Sequence, residues 1–256
     1  MSRTAPPCAT VVLIHGPFLG PWIWHEDVVL HLSRLGLACF TPDLEECWPQ
    51  TPEADRSHDS CIAQAVERLA DFLTRIEGPI ILVGHSLGAR VVEGLIARGH
   101  RTGAVLISPP PPQGLEEEAR AFLGRYPVAL ARVRMAQRPL LWFGEPGEPD
   151  PQRLRALLGP RASEALLAQV GAALRDTPLD ACLEAVRPAP GPRPQDVPVL
   201  VLSGREDPLV TPAALRRTAV AWNAVAHVLP HAGHWPMLGP TGPVLARHIG
   251  RWLFED

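Results

Sequence analysis

The chain has 256 residues and a formal net charge of −3 at pH 7, which suits one α/β domain and excludes the strongly basic surface of a nucleic-acid-binding protein. No apolar run is long enough to span a membrane, the N-terminal residues lack the pattern of an export signal, and the 5 cysteines include no C-x-x-C pair. We therefore predict a cytoplasmic protein with no disulfide framework, no zinc site and no membrane attachment. All 24 basic residues are arginine, so chemistry that needs a lysine amine is excluded.

Strand-like and helix-like segments alternate over the first part of the chain. Branched apolar runs predict strands over residues 9–16, 38–41, 80–83 and 103–108, and a helix-like segment lies between each strand and the next. The first strand leads into a loop rich in Gly, Pro and Trp over residues 17–24, and a polar stretch covers residues 45–59. Because strands and helices alternate, we expect a parallel sheet with right-handed crossovers.

The alternation stops at four consecutive prolines, Pro109–Pro112. The segment that follows predicts helices over residues 115–135, 153–158, 162–174 and 179–186, a short strand over 139–143 and a stiff, proline-rich return over 188–198. It lacks the regular order of a sheet. We interpret residues 109–196 as an inserted, mainly helical cap, and residues 1–108 and 197–256 as the core domain.

The alternation resumes in the last part of the chain. Residues 197–202 predict a strand, residues 212–222 a helix, residues 224–229 a last strand, and the remaining residues a closing amphipathic helix. Each of these two strands leads into a polar loop. The first loop reads Ser-Gly-Arg-Glu-Asp-Pro over residues 203–208, and the second reads Pro-His-Ala-Gly-His-Trp-Pro over residues 230–236.

The third predicted strand runs directly into a G-x-S-x-G motif. Residues 84–88 read Gly-His-Ser-Leu-Gly, with Ser86 at the centre, and apolar residues at helical spacing follow at once. Glycines fit a sharp strand-to-helix turn that leaves no room for side chains. The pattern therefore places Ser86 at a helix N-terminus, where free backbone N–H groups and the helix dipole favour a developing negative charge.

Three polar residues, Ser86, Asp207 and His234, follow the ends of three predicted strands in this order. Catalytic groups in open parallel sheets collect at the carboxyl ends of the strands. Together with His15-Gly16 after the first strand, the blocks around these residues resemble those of the α/β-hydrolase fold. The resemblance covers nearly the whole chain except the predicted cap. It implies a mostly parallel, doubly wound sheet flanked by helices, with an inserted, mainly helical cap.

The same resemblance implies nucleophilic catalysis by a triad. Ser86 would be the nucleophile, His234 the general base and Asp207 the acid that holds the imidazole in one tautomer. Glu206 is an alternative acid and His231 an alternative base. We favour Asp207 and His234, because in this family the acid follows strand-Gly-x-x and the base follows Ala-Gly.

One position departs from the family pattern, and it concerns the oxyanion hole. The family takes one N–H from the residue after the nucleophile, here Leu87, and a second from the residue after His-Gly. That second residue is Pro17, which has no N–H. We therefore predict Leu87 and Phe18 as the donors, with replacement by a side chain or a single-donor hole as alternatives.

The substrate side of the site is less well defined by the sequence. We predict that Trp22, Trp142 and His85 contact the substrate, although packing is an equal alternative for the tryptophans. We expect a small-molecule substrate, no cofactor, no metal, no nucleic-acid or membrane partner, and a monomer or homodimer. Serine at position 86 disfavours the epoxide hydrolases and haloalkane dehalogenases of this fold, which use an Asp nucleophile.

We therefore predict a serine hydrolase, most similar to the carboxylesterases that act on small or medium-sized esters. The Pro17 departure favours an alternative, a non-hydrolytic enzyme of the same fold such as a lyase, a cofactor-free oxygenase or a cyclase. Residues 15–24 also resemble the corresponding loop of the plant-type hydroxynitrile lyases. Those enzymes, however, use a lysine near the acid, and this chain contains no lysine. A catalytically silent binding protein is the third hypothesis, and the complete triad argues against it.

Overall fold

The computed structural model describes residues 9–48, 60–100, 102–145, 147–189, 193–194 and 196–254. Most of the predicted polar stretch 45–59, part of the predicted return 188–198 and Cys8 lie outside the described residues. No disulfide joins any of the four described cysteines, Cys39, Cys47, Cys61 and Cys182.

Six parallel strands of the described chain form the central sheet. They are β1 (Thr10–Ile14), β2 (Ala38–Phe40), β3 (Ile80–His85), β4 (Ala104–Ile107), β7 (Val199–Gly204) and β8 (Val225–Leu229), in the order β2-β1-β3-β4-β7-β8. The strand order reverses at β1 and β3, which makes this place the switch point of a doubly wound sheet. A separate antiparallel ribbon consists of β5 (Gly144–Glu145) and β6 (Glu148–Pro149).

The described helices lie on both faces of the sheet and in the segment between β4 and β7. They are α1 (Leu30–Arg34), α2 (Cys61–Leu73), α3 (Leu87–Ala97), α4 (Glu116–Leu123), α5 (Pro127–Ala136), α6 (Pro151–Leu158), α7 (Glu164–Ala173), α8 (Leu179–Val186), α9 (Pro212–Trp222) and α10 (Gly242–Phe254). The longest have 13 residues, and none in the described chain is both long and apolar enough to cross a bilayer.

Alternation along the strands explains why helices cover both faces. In β1, Val11 and Leu13 pack into one apolar cluster, whereas Val12 and Ile14 pack into the other, and all four are fully buried. Residues of α1 and α10 complete the first cluster, and residues of α2, α3 and α9 complete the second. A strand that is buried on both faces reads as a continuous apolar run, which is the pattern on which the strand predictions rest.

Two predictions within residues 109–196 are wrong in detail. The single helix predicted over 115–135 is two helices, α4 and α5, because Gly124 ends the first and Pro127 occupies the first position of the second. The strand predicted over 139–143 is a 3-10 turn, Pro139–Trp142, which likewise begins with a proline. The other helices are present, so the insertion is mainly helical.

The insertion is attached to the core through α8. The Glu184 carboxylate accepts hydrogen bonds from the Ser60 hydroxyl at 2.5 Å and from the N–H groups of Cys61 and Ile62 at 3.0 Å. These N–H groups belong to the first turn of α2, which has no intrahelical acceptor for them. A residue of the insertion therefore caps a core helix.

Candidate active site

Ser86 lies in a sharp turn between β3 and α3. Its backbone has φ 53° and ψ −114°, a conformation that a non-glycine residue rarely adopts. The flanking glycines allow the turn, because a Cβ on Gly84 would lie 2.5 Å from the Gly88 carbonyl oxygen, and one on Gly88 would lie 2.3 Å from the Ile14 oxygen. The Ser86 N–H donates to the Ile107 oxygen at 2.9 Å, which ties the turn to β4.

The structure brings the three predicted triad residues together in one hydrogen-bonded chain. Ser86 Oγ lies 3.0 Å from His234 Nε2, and His234 Nδ1 lies 2.9 Å from Asp207 Oδ2. All three residues are buried. Since a carboxylate can only accept, Nδ1 carries the proton that it donates to Asp207, and Nε2 is left to accept the proton of the serine hydroxyl.

Asp207 is held as a carboxylate by the groups around it. Burial alone would raise its pKa, but His234 and the N–H groups of Leu209 and Val210, at 2.9 and 2.8 Å from Oδ1, outweigh burial, and the pKa lies below its ordinary value. The Ser203 hydroxyl also donates to Oδ2 at 3.0 Å. Ser203 begins the polar loop 203–208 that carries Asp207, but nothing in its sequence context indicates this contact.

The alternative acid and base lie elsewhere. Glu206 and His231 are both exposed to solvent, whereas Asp207 and His234 are buried beside Ser86. In each of the two loops, one candidate side chain therefore faces solvent and the other is buried. The geometry selects His234 over His231 as the group that contacts the serine, and Asp207 over Glu206 as the acid that contacts His234.

His85 does not contact the pocket, contrary to the prediction that it binds substrate. It is the last residue of β3, its side chain is fully buried, and its Nε2–H donates to the backbone oxygen of His234 at 2.9 Å. Gly16 packs directly on the ring, because a Cβ there would lie 2.5 Å from Nδ1. Successive side chains of a strand point in opposite directions, so the residue before Ser86 lies beneath the site rather than in it. Its position supports the loop that carries His234.

The burial of His85 predicts a pH-dependent stability. Burial, together with the nearby His234, lowers its pKa from 6.5 to about 3. In the unfolded chain the imidazole binds a proton below about pH 6.5, whereas in the folded protein it stays neutral until about pH 3. The unfolded state therefore binds more protons in this window, and the free energy of unfolding falls as the pH falls from 6.5 towards 3.

We expect the His85→Gln variant to lose this pH dependence. Gln keeps an N–H donor for the His234 oxygen but does not titrate. Urea unfolding should show that, between pH 7 and pH 5, the wild type loses about 2 kcal/mol more than the variant, from about 1.36 kcal/mol per pKa unit. Equal losses in the two proteins would show that His85 is not kept neutral by the fold.

A mostly apolar pocket with a volume of about 190 Å³ opens onto Ser86 and His234. Its walls come from the 15–24 loop, from the insertion and from residues next to the triad, and no Asp, Glu or Arg lies among the described lining residues. The aromatic side chains that line it are Phe18, Phe122, Trp142, Phe143 and Trp235.

The two tryptophans predicted to bind substrate have different positions. Trp142 lines the pocket, and its contact with a substrate stays a prediction. Trp22 is not among the described lining residues: it lies on a 3-10 turn, Pro21–Trp24, and is partly buried against the apolar cluster beneath β1. The turn directs Trp22 into packing, so the prediction of substrate contact is wrong for this residue.

The two predicted donors of the oxyanion hole, Leu87 and Phe18, have different environments. Leu87 is the first residue of α3, so its N–H has no intrahelical acceptor and lies beside the nucleophile. The Phe18 N–H, in contrast, donates to Thr177 Oγ1 at 2.8 Å. The structure therefore does not support the expectation that Phe18 is a free second donor. Thr177 lies 159 residues further along the chain and belongs to no motif, so no signal in the sequence indicates this contact.

No three His, Cys, Asp or Glu side chains of the described segments converge in a way that could hold a metal ion. A second polar cluster lies near the site: Arg175 makes a bidentate contact with Asp43, at 2.9 and 3.0 Å. His15 and Arg175 both contribute to a lowered pKa of the Asp43 carboxyl. Asp43 follows β2, and its role here is structural, because it links the core to the insertion.

The fold resembles that of several solved structures. It matches the esterase RhEst1 from Rhodococcus sp. ECU1013 with a TM-score of 0.66 and 20% identity, covering 98% of this chain and 92% of that one. It matches a bromoperoxidase from Bacillus anthracis with a TM-score of 0.68 and 18% identity, covering 96% and 91%. It matches the methylesterase protein MES16 from Arabidopsis with a TM-score of 0.63 and 18% identity, covering 96% and 98%.

At these identities the structural similarities show the fold alone. No curated protein matches the sequence. The sequence model of the Alpha/beta hydrolase family, however, matches residues 11–247, which include Ser86, Asp207 and His234. Over nine-tenths of the chain lies within this match, and the chain therefore belongs to the Alpha/beta hydrolase family.

Proposed function

We propose that the protein is a serine hydrolase, a carboxylesterase that acts on a small or medium-sized ester through an acyl-enzyme. The observation that carries the proposal is the continuous contact from Asp207 through His234 to Ser86, at 2.9 and 3.0 Å, at the floor of an apolar pocket. The esterases among the structurally similar proteins support the same reaction class but do not decide it.

The mechanism follows from the positions of the three side chains. Ser86 Oγ attacks the ester carbonyl carbon while its proton moves to His234 Nε2, and the carbonyl oxygen becomes an oxyanion near the Leu87 N–H. His234 then gives the proton to the leaving alcohol, and an acyl-enzyme forms. Water then attacks the acyl carbon while one of its protons moves to His234. The bond between that carbon and Ser86 Oγ breaks, Ser86 takes the proton from His234, and the acid is released. Asp207 stabilises the imidazolium that forms in both steps.

The pocket indicates an uncharged, apolar acyl group. An apolar cavity of about 150 Å³ holds one benzene molecule, so the cavity of about 190 Å³ has room for a single ring or a medium-length aliphatic chain. A carboxylate on the substrate would lose its hydration without gaining a charged partner, which costs several kcal/mol. We infer that the insertion, residues 109–196, acts as the lid that sets this preference.

A panel of nitrophenyl esters with graded acyl length tests the proposal. We expect the highest kcat/KM for uncharged acyl groups of medium size, and a value at least about 100-fold lower for a hemisuccinate ester of similar length, because its carboxylate must be desolvated. Leu183→Trp, in the pocket wall, should shift the optimum to shorter chains. Val128→Trp is the matched control, because Val128 is 70% exposed on the same insertion and does not line the described pocket.

A flat profile across acyl length, or shifts of equal size in Leu183→Trp and Val128→Trp relative to the wild type, would contradict the role of the insertion. No turnover of any ester, with Ser86 labelled by a fluorophosphonate probe, would contradict the esterase but retain a reactive serine. No labelling at all would favour a catalytically silent binding protein.

A second candidate function is a non-hydrolytic reaction that uses the same triad, such as a lyase, oxygenase or cyclase reaction. One observation favours it: Pro17 has no N–H, and the Phe18 N–H is already bonded to Thr177. Ester hydrolysis gains strongly from two oxyanion donors. Weak ester turnover by a protein whose serine reacts fully with the probe would favour this candidate.

A further inference from the structure

A short segment of the insertion, Arg175–Thr177, holds the Phe18 backbone at both of its polar groups. The Phe18 N–H donates to Thr177 Oγ1 at 2.8 Å, and the Arg175 N–H donates to the Phe18 oxygen at 3.0 Å. We refer to Arg175–Thr177 as the strap. Phe18 lines the substrate pocket, whereas Thr177 is buried and is not among the described lining residues. The Phe18 N–H is therefore directed to a group behind the pocket wall.

The strap is itself anchored at several points. The Arg175 guanidinium contacts both oxygens of Asp43 and also Glu45 Oε2 at 2.7 Å. The Asp176 carboxylate accepts hydrogen bonds from the Leu140 N–H at 3.1 Å and from Arg138 Nε at 2.9 Å. Bidentate arginine–carboxylate pairs have a fixed geometry. The strap is thus fastened to the core on one side and to the insertion on the other.

The backbone of Phe18 shows that the strap imposes a conformation on the loop. Phe18 has φ 66°, in the left-handed region that a bulky residue rarely adopts. Such a conformation is unfavourable and persists only when surrounding contacts enforce it. The two hydrogen bonds to the strap are contacts of this kind. Pro17, with its restricted φ and no N–H, cannot replace Phe18 as a donor.

We propose that Thr177 is a positioning residue that turns the Phe18 N–H away from the oxyanion, so that the resting site offers the Leu87 N–H and no donor from residues 17 and 18. The proposal rests on the function proposed above, because it concerns the oxyanion of that reaction. Its physical basis is the competition for one N–H: a hydrogen bond of 2.8 Å to the Thr177 hydroxyl occupies the donor that the developing oxyanion would use.

The test removes the hydroxyl of Thr177 that accepts the hydrogen bond from the Phe18 N–H and keeps the shape of the side chain. Thr177→Val deletes the hydroxyl at nearly constant volume, and Thr177→Ser keeps an acceptor at the same position. In Thr177→Val we expect kcat for the best nitrophenyl ester to rise by at least about 10-fold, up to the roughly 100-fold of one oxyanion donor. KM should be unchanged, because the new hydrogen bond forms only in the transition state. Thr177→Ser should stay within about twofold of the wild type, since it keeps the acceptor.

A tetrahedral adduct separates this effect from a general loosening of the loop. Ser86 Oγ adds to the carbonyl carbon of a trifluoromethyl ketone that carries the preferred acyl chain. The serine proton moves to His234 Nε2, and the carbonyl oxygen becomes an oxyanion. The affinity of the ketone for Thr177→Val should rise by about the same factor as kcat. The corresponding secondary alcohol, which forms no adduct, should bind equally to both proteins.

Unchanged or lower kcat together with unchanged ketone affinity in Thr177→Val would overturn the proposal, as would an equal rise in Thr177→Ser. Thr177→Cys, with a weak acceptor of similar size, serves in place of Thr177→Val if the valine variant does not fold, and the same rise is expected. Labelling by a fluorophosphonate reports separately on the proposed function. A protein that is not labelled contradicts the reactive serine, and not the role of Thr177.

Discussion

Ser86→Ala and His234→Ala are each expected to lower ester turnover by about a million-fold, the loss typical of a serine or histidine that acts as one unit with its partner. The reason is the 3.0 Å contact between Ser86 Oγ and His234 Nε2. Without the base, the serine hydroxyl is a weak nucleophile, and without the serine, the base has no proton to remove. Initial rates on the best nitrophenyl ester measure the effect.

The double variant makes this prediction sharper. Since the two side chains catalyse one step, Ser86→Ala with His234→Ala should be scarcely slower than either single variant. His231→Ala is the matched control, because it lies in the same loop but is exposed, and it should stay within about threefold of the wild type. Losses that multiply in the double variant would mean that the two residues act independently, which would contradict the triad.

Asp207→Asn is expected to lower turnover by about ten-thousand-fold while the protein stays folded. Asp207 Oδ2 accepts a hydrogen bond from His234 Nδ1–H, with 2.9 Å between Nδ1 and Oδ2, so a carboxylate there selects the tautomer in which Nε2 is free to accept. An amide that donates to Nδ1 selects the opposite tautomer, in which Nε2 carries a proton and cannot act as a base. Turnover at pH 7, with thermal unfolding as a check on folding, measures the effect.

The neighbouring acid supplies the control for this prediction. Glu206→Gln removes a carboxylate one residue away, but Glu206 is exposed, so turnover should change by less than about threefold. A larger loss in Glu206→Gln than in Asp207→Asn would show that the wrong acid has been assigned. Equal and small losses in both would show that no acid orients His234.

The insertion contacts the loops that carry Phe18 and His234 and also lines the apolar pocket. The N–H of Trp235 donates to the Leu157 oxygen at 3.0 Å, and the N–H of Gly233 donates to the Leu158 oxygen at 3.3 Å, so the end of α6 holds the residues on either side of His234. The strap holds Phe18 in the same way. Substitutions in the insertion can therefore change turnover as well as substrate preference.

Much of the fold was predictable because apolar runs, glycines and prolines that lie close together in the sequence indicate its strands, helices and turns. The apolar run of β3, which leads directly into a glycine-flanked turn, is typical of a strand covered on both faces. The glycines around Ser86 indicate a sharp turn that places the serine at a helix N-terminus. Ser86, Asp207 and His234 each follow a predicted strand, which predicts that the three loops meet, because the carboxyl ends of parallel strands lie at one edge. The choice of Asp207 over Glu206 and of His234 over His231 came from the resemblance to the family. Pro17 could be identified as a departure from the family pattern because it directly follows His15-Gly16 in the sequence.

Only the tertiary structure decided the environment of the individual side chains. His85 and Ser86 are neighbours in sequence, yet one lies under the site and the other in the pocket, and Trp22 packs inward while Trp142 lines the wall. The partner of the Phe18 N–H lies 159 residues away, in an insertion without a motif. Periodicity reports which residues share a face of one element, whereas such contacts depend on how distant segments pack against each other, and packing leaves no local pattern.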